Sequence, residues 1–298
     1  MNLQLTMPFN LDISLCCGQV FRWEKRGDWW FGVVGDRVVK IRQIGETLDF
    51  SGTSGVDETF IRHYFSLDHD LEQIKYRIGK DERIKGALEE FWGLRLIRQS
   101  PLECLISFIC ATYKNVPAIQ QMLLRLSSKF GERLTFEGYK FYAFPLSKRL
   151  AGSSLEELKK CGLGYRAPYI QQTSHMIFED DYNLENLRML SYEQAREKLL
   201  EFPGVGLKVA DCTLLFSLDK LIAFPVDVWV KRILLRYYTD CFEQSLVKKL
   251  IAHDSLSDSD YKQLNGFGRA YFGEFAGYAQ EYLYHQERWL RNRKLEKG

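Results

Sequence analysis

No Cys-x-x-Cys pair occurs in this sequence, and no cysteine follows Cys241. The seven cysteines (Cys16, Cys17, Cys104, Cys110, Cys161, Cys212 and Cys241) are odd in number. This usage argues against a disulfide framework or a zinc site, and it excludes a cysteine-ligated iron–sulfur cluster near the C-terminus. Reduced thiols in a cytosol are the expectation. The N-terminus lacks a charged leader followed by a long apolar stretch, so no signal peptide is expected. No apolar run approaches membrane-spanning length. There is no 20–50-residue repeat and no low-complexity linker. A large excess of either charge is also missing: 41 basic and 39 acidic residues leave a formal net charge of +2. That balance neither demands nor forbids a polyanionic partner, because a local basic stripe suffices. The basic stretch Arg288–Lys297 reads first as a solvated helix end and second as a phosphate contact.

Against these absences stand an apolar fraction of 46% and an aromatic fraction of 14% in 298 residues. That is enough for a sizeable core and too much for disorder. The length fits one large domain or two ordinary ones. Short runs at Val20–Trp23, Trp29–Val34, Val38–Arg42 and Thr47–Phe50 are separated by turn signals at Gly27-Asp28, Gly35-Asp36 and Gly45-Glu46. This predicts an antiparallel meander. From about residue 57 the pattern turns helical and stays so. The expected class is α+β, with an N-terminal antiparallel β-sheet domain and flanking helices over residues 1–97. A mainly α-helical body follows over residues 98–298.

The most informative segment lies in that body. Ser191 and Gln194 make a capping box with Leu190 as a staple, and Ala195, Leu199 and Phe202 follow on one side of a helix that Pro203 and Gly204 end. A second helix is expected from near Leu207. Its apolar face is Leu207, Ala210, Leu214 and Leu218, and Lys208, Cys212 and Phe216 recur at i, i+4 and i+8 on another face. Asp227 is placed to cap a third helix with the buried stripe Val230, Ile233, Leu234 and Tyr237. Two short helices joined by Gly204-Val205-Gly206 make a helix-hairpin-helix over about 191–218. Its glycines admit a close ligand and leave N–H groups open at a helix N-terminus, which suits phosphate at Gly204, Val205, Gly206 and Lys208.

Singly these features are weak. Pro203-Gly204-Val205-Gly206 is more often an ordinary hairpin, Lys208 a solvated lysine, and Asp227 only a cap. The ordered pair after this hairpin is more specific. An amine nucleophile beside a carboxylate and a phosphate-gripping loop predicts chemistry on a nucleic acid.

Longer segments carry a family resemblance. Gly18-Gln19-Val20-Phe21-Arg22-Trp23, Glu103-Cys104-Leu105-Ile106-Ser107-Phe108-Ile109-Cys110, Gly162-Leu163-Gly164-Tyr165-Arg166-Ala167, Lys208-Val209-Ala210-Asp211-Cys212 and Ala276-Gly277-Tyr278-Ala279-Gln280 occur in this order. With the hairpin and the later aspartate, they resemble the 8-oxoguanine DNA glycosylases of the helix-hairpin-helix superfamily over nearly the whole chain. The resemblance implies a bifunctional repair enzyme that flips 8-oxoguanine out of duplex DNA, excises it and nicks the strand by β-elimination.

The resemblance also implies roles. Lys208 attacks C1′, expels the base and forms a Schiff base. The attacking amine must be neutral, whereas an ordinary lysine with a pKa of about 10.4 is protonated at neutral pH. Burial on the Cys212/Phe216 face lowers that value and a Cys212 thiolate opposes the change; the sequence leaves the balance open. Asp227 favours the charge that builds on the sugar while capping its helix. Gly18 offers a backbone carbonyl to the N7–H that only the oxidised base carries. One unsatisfied buried acceptor costs roughly 1–3 kcal/mol, or about one to two orders of magnitude in preference. Cys212 and Phe216 line the base pocket, Gln280 reads the pairing edge, and Tyr284 stacks on the ring. Without the resemblance, Gly18 is a turn glycine, Gln280 a helix-surface amide and Tyr284 a core aromatic. Tyr165 is expected to fill the vacated stack and Arg166 to read the orphaned partner base.

The chain departs from the family at several of these places. Tyr113 stands where the family has an Asn that reads the opposite base, and Ala118 where it has a second Arg. Arg166 alone remains, so weak selectivity for the opposite base is expected. Trp229 stands in place of a phosphate-contacting His, and Phe216 in place of a Met. These departures point to a bacterial or archaeal branch. The wider superfamily implies a cation held by the backbone carbonyls of Leu200, Phe202 and Val205, with no cofactor required. The expected partner is double-stranded DNA containing 8-oxoguanine, met by a cytoplasmic, nucleoid-associated monomer without a membrane. Two rival readings are a glycosylase of the same superfamily for another lesion and a non-catalytic helix-hairpin-helix DNA-binding protein. Lys208 disfavours the branch that removes alkylated bases with the aspartate alone.

Overall fold

Alternating side chains and two-residue turns build the front of the molecule. The computed structural model describes residues 1–253 and 255–295, without the side chains of Asn292, Lys294 and Leu295. Strands β1 (Asn2–Gln4), β2 (Trp23–Arg26), β3 (Trp29–Val34), β4 (Arg37–Ile44) and β5 (Thr47–Gly52) form one antiparallel sheet in the order β1-β5-β4-β3-β2. Its inward residues, including Leu3, Trp23, Val39, Ile41, Leu48 and Phe50, close over Phe65 and Ile97 as a core of their own.

A helical body follows. Its helices are α1 (Leu11–Cys16, ahead of β2), α2 (Glu58–Tyr64), α3 (Leu71–Ile78), α4 (Glu82–Glu90), α5 (Pro101–Ala111), α6 (Val116–Phe130), α7 (Ser147–Ala151) and α8 (Leu155–Lys160). Beyond these lie α9 (Ala167–Glu179), α10 (Tyr192–Leu200), α11 (Leu207–Ser217), α12 (Val228–Tyr237), α13 (Gln244–Ala252), α14 (Asp258–Phe272) and α15 (Ala276–Leu295). Many start where a side-chain oxygen accepts the first free N–H groups: Asn10, Asp57, Asp70, Asp81, Asn115, Ser154, Ser191 and Ser257 all do so. Ser191 and Gln194 form the reciprocal capping box expected of them. Among the described residues no helix is long and apolar enough to cross a membrane.

The α+β class matches expectation, with four differences in detail. The strand expected from Val20 begins at Trp23 as β2. Val20 and Phe21 are buried, but in different cores, Val20 under the sheet and Phe21 in the helical body. Val20 and Phe21 therefore bridge two cores, and strand pairing starts only at Trp23, opposite Gly32. The three-residue β1 went unforeseen; it exists because β5 offers it an edge. The stretch after residue 57 is not wholly helical. A hairpin of β6 (Arg133–Phe136) and β7 (Tyr139–Tyr142) turns at Glu137 and Gly138, with φ of +47° and +78°. Two successive positive φ values mark the turn type that suits a hairpin, and a glutamate in the first position hid the signal. Finally, Tyr237 of the expected α12 stripe is exposed, and Tyr238 at the helix end is buried in its place.

Two buried polar side chains tie the front to the body. Gln19 donates to the carbonyls of Ser14 (3.0 Å) and Arg95 (2.8 Å) and accepts the Ile97 N–H (2.8 Å). Arg95, fully buried, donates to the carbonyls of Pro8, Ser66 and His69. A buried amide with unmet donors costs several times what a met one contributes, so this loop has one arrangement.

α15 docks through a small-residue contact. A Cβ on Gly277 would lie 2.1 Å from Leu215 Cδ1 and 3.0 Å from the carbonyl oxygens of Leu221 and Ala223. In contrast, a Cβ on Gly86 of α4 would meet nothing within 4 Å. Gly277→Ala should therefore lower the unfolding free energy by roughly 1–3 kcal/mol through overpacking. Gly86→Ala should raise it by up to about 1 kcal/mol through helix propensity. Urea titrations of both variants test the contact; a Gly277→Ala protein as stable as the parent speaks against it.

Candidate active site

α11 is buried almost from end to end. Every residue from Val209 to Ser217 is sequestered, including the charged Asp211. Asp211 accepts from Tyr192 Oη (2.5 Å), Tyr261 Oη (2.6 Å) and Asn265 Nδ2 (3.0 Å), with Arg196 at 3.8 Å. Burial pushes its carboxyl up to about 6, while these donors and Arg196 pull the other way. Only the first turn of the helix meets solvent. Gly206, its N-cap, is exposed, supplies no side-chain acceptor, and has nothing within 4 Å of where a Cβ would stand. The first N–H groups of α11 are thus left open. Gly204, with φ of +79°, turns the chain against Tyr169, whose Cβ lies 2.7 Å from the position a side chain at 204 would need. The Phe202 carbonyl accepts the Val205 N–H at 3.1 Å and closes the hairpin.

Lys208 lies in the first turn of α11. Its Nζ stands 4.8 Å from the centre of the Phe108 ring, and Phe108 stacks on Phe216 at 5.5 Å. Among the described residues the amine has no hydrogen-bond or ion-pair partner. Asp227 caps α12 as expected, and a single oxygen, Oδ1, accepts both the Trp229 N–H (2.8 Å) and the Val230 N–H (2.9 Å). Oδ2 is left free for other work. Burial raises the Asp227 carboxyl, and Lys208, the two N–H groups and Arg288 draw it back down. The Cys212 thiol is pushed up to about 12 by burial, against the pull of the nearby Lys208. It is a neutral thiol at neutral pH, so the thiolate that the sequence left open is not favoured.

α15 brings the remaining pocket residues to this point. Gln280 is buried, and its Oε1 has no partner. Tyr284, one turn on, is close enough for Asp227 to influence its phenol. Gly18, with φ of +111°, lies against both Tyr284 and Arg288: a Cβ there would be 3.4 Å from Tyr284 Cε1 and 2.6 Å from Arg288 Nη1. Gly18, Lys208, Cys212, Phe216, Asp227, Gln280 and Tyr284 thus converge, although 266 positions of sequence (284 − 18) separate the first from the last.

The residues expected to handle the opposite strand lie apart from this cluster. Tyr165 is exposed and carries the Arg166 guanidinium 4.3 Å from its ring centre. Arg166 itself is folded inward: it is 3% exposed, it donates to the Thr112 carbonyl, and its Nε has no partner. Tyr113 is 87% exposed with φ of +55°. The Ala118 N–H is taken by Asn115 Oδ1, which caps α6. Trp229 is flanked by the Arg232 and Arg291 guanidiniums at 5.4 and 4.9 Å, and among the described residues neither has a carboxylate within 4 Å. The end of the basic stretch, residues 296–298, lies outside the described residues.

Sequence reasoning missed four contributors. Phe108 sits inside a motif already noted, and its role emerges only when α5 packs on α11. Arg288 was legible, since 280, 284 and 288 continue one i, i+4, i+8 face. Glu281 and Cys17 are buried side by side behind that face. No group of three or more His, Cys, Asp or Glu that could hold a metal occurs among the described residues.

Comparison with known proteins gives a consistent result. Residues 2–105 match the model of the 8-oxoguanine DNA glycosylase N-terminal domain, and residues 106–243 match that of the HhH-GPD superfamily of base excision DNA repair proteins. The N-glycosylase/DNA lyase OGG1 of Arabidopsis thaliana is 32% identical over 94% of this chain and 77% of its own. A probable N-glycosylase/DNA lyase of Methanothermobacter thermautotrophicus is 34% identical over 76% of this chain and 74% of its own. The Clostridium acetobutylicum 8-oxoguanine glycosylase/lyase, solved with double-stranded DNA containing cytosine opposite 8-oxoG, superposes with a TM-score of 0.84. That structure is 30% identical and covers 98% of both chains.

Glu281 gives the pocket a pH signature. Burial pushes its carboxyl up to about 7, with Asp227 adding to the rise while Cys17 and Arg288 oppose it. The folded state therefore binds a proton that the unfolded chain, with a carboxyl near 4.5, has already lost. The stability from this group is full below about pH 4.5 and is lost as pH rises through about 7, on the order of 3 kcal/mol in all. Glu281→Gln removes the titration. Between pH 5 and pH 8 the parent should lose stability relative to this variant in urea unfolding; parallel curves would refute the assignment.

Proposed function

The chain belongs to the 8-oxoguanine DNA glycosylase family of the HhH-GPD superfamily, and from that premise we propose how its site works. It is an N-glycosylase and DNA lyase that acts on 8-oxoguanine in duplex DNA. The observation that carries the mechanism is the unpaired Lys208 amine beside the half-used Asp227 carboxylate, with Gln280, Tyr284 and Gly18 around it.

A base within the stack is out of reach, so the lesion is flipped into this pocket and Tyr165 fills its place. The orphaned Gln280 Oε1 can accept from the pairing edge, Tyr284 stacks on the ring, and the Gly18 carbonyl accepts N7–H. Lys208 Nζ donates its electron pair to C1′, and the glycosidic pair leaves with the base. Asp227 Oδ2 offsets the positive charge that builds on the sugar in between. The nitrogen on C1′ then loses a proton, the C1′–O4′ bond opens with O4′ taking up a proton, and the resulting C1′=N Schiff base draws electrons from C2′. Loss of a C2′ proton then expels the 3′ oxygen and nicks the strand.

Phosphate is held by the open N–H groups of Gly204, Gly206 and Lys208, whereas the Val205 N–H expected to join them is already bonded to the Phe202 carbonyl at 3.1 Å. Arg232 and Arg291, displayed on Trp229, supply the charge that the missing histidine would have brought. The Phe202 carbonyl keeps a second lone pair after accepting the Val205 N–H. With the carbonyls of Leu200 and Val205 it fits a cation that would steady the hairpin near phosphate, and no step passes through that ion. We also propose that the protein acts as a monomer, since pocket, hairpin and wedge all come from one chain. A protein that merely held DNA would keep the hairpin but would have no use for the amine or the Gln280–Tyr284 face.

Borohydride traps the Schiff base. Parent protein on an 8-oxoguanine duplex should give a covalent band, and Lys208→Gln should give none; trapping at the parental level by that variant removes Lys208 as nucleophile. Asp227→Asn should slow excision by about two to three orders of magnitude. Opposite-base selectivity should be weak, because Tyr113 and Ala118 provide no guanidinium and Arg166 must first leave its inward pose. Excision rates opposite C, A, G and T should agree within about tenfold; a preference for C beyond about a hundredfold contradicts this.

A further inference from the structure

Arg288, two turns beyond Gln280 on α15, reaches the lesion-reading loop beside Glu281, which lies against the Cys17 thiol. Its Nη1 donates to the Cys17 carbonyl at 2.6 Å, and its guanidinium lies 5.3 Å from the centre of the Tyr284 ring. The same Nη1 occupies the space a Cβ at residue 18 would need. The Cys17 carbonyl belongs to the peptide group that enters Gly18, so this bond holds the plane on one side of the glycine. On the other side of the glycine, residue Gln19 is itself anchored: its side chain is bound to Ser14, Arg95 and Ile97, and its carbonyl, in the following peptide, accepts Gln99 Nε2 at 2.8 Å. A glycine at φ of +111° has no side chain to restrict it. Its carbonyl direction is therefore set by the clamps on its two neighbours.

We propose that Arg288 is a positioning residue for lesion recognition: by pinning the Cys17–Gly18 peptide and the Tyr284 ring, it aims the Gly18 carbonyl at the atom that distinguishes the oxidised base from guanine. This rests on the reading of Gly18 and Tyr284 above. It assigns Arg288 no bond to the base. The guanidinium suits this task because its planar donors leave one to hold the carbonyl while its face lies on the phenol. The residue acts on discrimination and not on the nucleophile, which approaches from α11.

The distinction can be measured. A preformed abasic site carries no base, so nicking it needs Lys208 and Asp227 but no reading of the lesion. In Arg288→Ala, single-turnover excision of 8-oxoguanine at saturating enzyme should fall tenfold or more, while nicking of a preformed abasic duplex should fall less than threefold. In a Lys208→Gln background, the ratio of affinities for 8-oxoguanine duplex over guanine duplex should shrink at least tenfold on adding Arg288→Ala. Arg288→Lys, which keeps a charged donor, should recover part of that ratio. Equal losses in excision and abasic nicking would mean a merely structural role and overturn the proposal. So would an unchanged affinity ratio in the double variant, or a Lys variant no better than Ala. If the parent itself shows no preference for the lesion duplex, the reading of the pocket fails with it. If the parent discriminates and Arg288→Ala discriminates equally, Arg288 alone is wrong.

Discussion

Everything in the active site depends on a helix that is solvated only at its first turn. α11 can be buried from Val209 to Ser217 because its one inward charge, Asp211, is met by two phenols, an amide and an arginine. An unmet carboxylate at that depth would cost several kcal/mol. With it satisfied, the helix becomes a rigid post between α5 and α15. Its open end presents the hairpin glycines and Lys208 together. The proposed phosphate grip and the proposed nucleophile therefore share one frame.

The cluster around that end is largely buried and rich in groups whose charge depends on neighbours. Burial raises Asp227, Cys212 and Glu281 alike, while Lys208 and Arg288 counteract it to different degrees. The result is a neutral thiol, a carboxyl near neutrality at Glu281, and an aspartate steadied by two backbone N–H groups. Such sorting of acidic groups by burial and neighbouring charge clusters at functional sites. Among the described residues the buried Gln280 Oε1 has no partner, as an acceptor kept for a ligand would, because buried acceptors are rarely left unused.

The sheet contributes to this chemistry at a distance. The segment from Ser14 to Trp23 leaves α1, passes through the pocket wall at Gly18 and enters β2. Val20 is sunk in one core and Phe21 in the other. Gln19 anchors that crossing to the carbonyls of Ser14 and Arg95 and to the Ile97 N–H, and Arg95 in turn holds the Pro8, Ser66 and His69 carbonyls. A loop held in this way can present a backbone carbonyl with the accuracy normally expected of a side chain on a helix.

Much of this was legible in the amino-acid order. Local physics placed the capping box at Ser191, the hairpin glycines, the cap at Asp227 and the strand turns, because each depends on residues within one or two turns of one another. The chain order of the motifs named the family, and with it Lys208, Gln280 and Tyr284. The β6–β7 hairpin escaped because a glutamate accepts a left-handed turn that glycine usually announces. The exchange of Tyr237 for Tyr238 escaped because a helix end shifts which residue faces inward. Depth and company were beyond any local pattern: that Asp211 is buried and satisfied, that Phe108 lies beneath the amine, that Arg166 is turned inward and that Arg288 reaches Cys17. These follow from pairings between residues tens to hundreds of positions apart, and both burial and protonation state are properties of the packed neighbourhood and not of the residue.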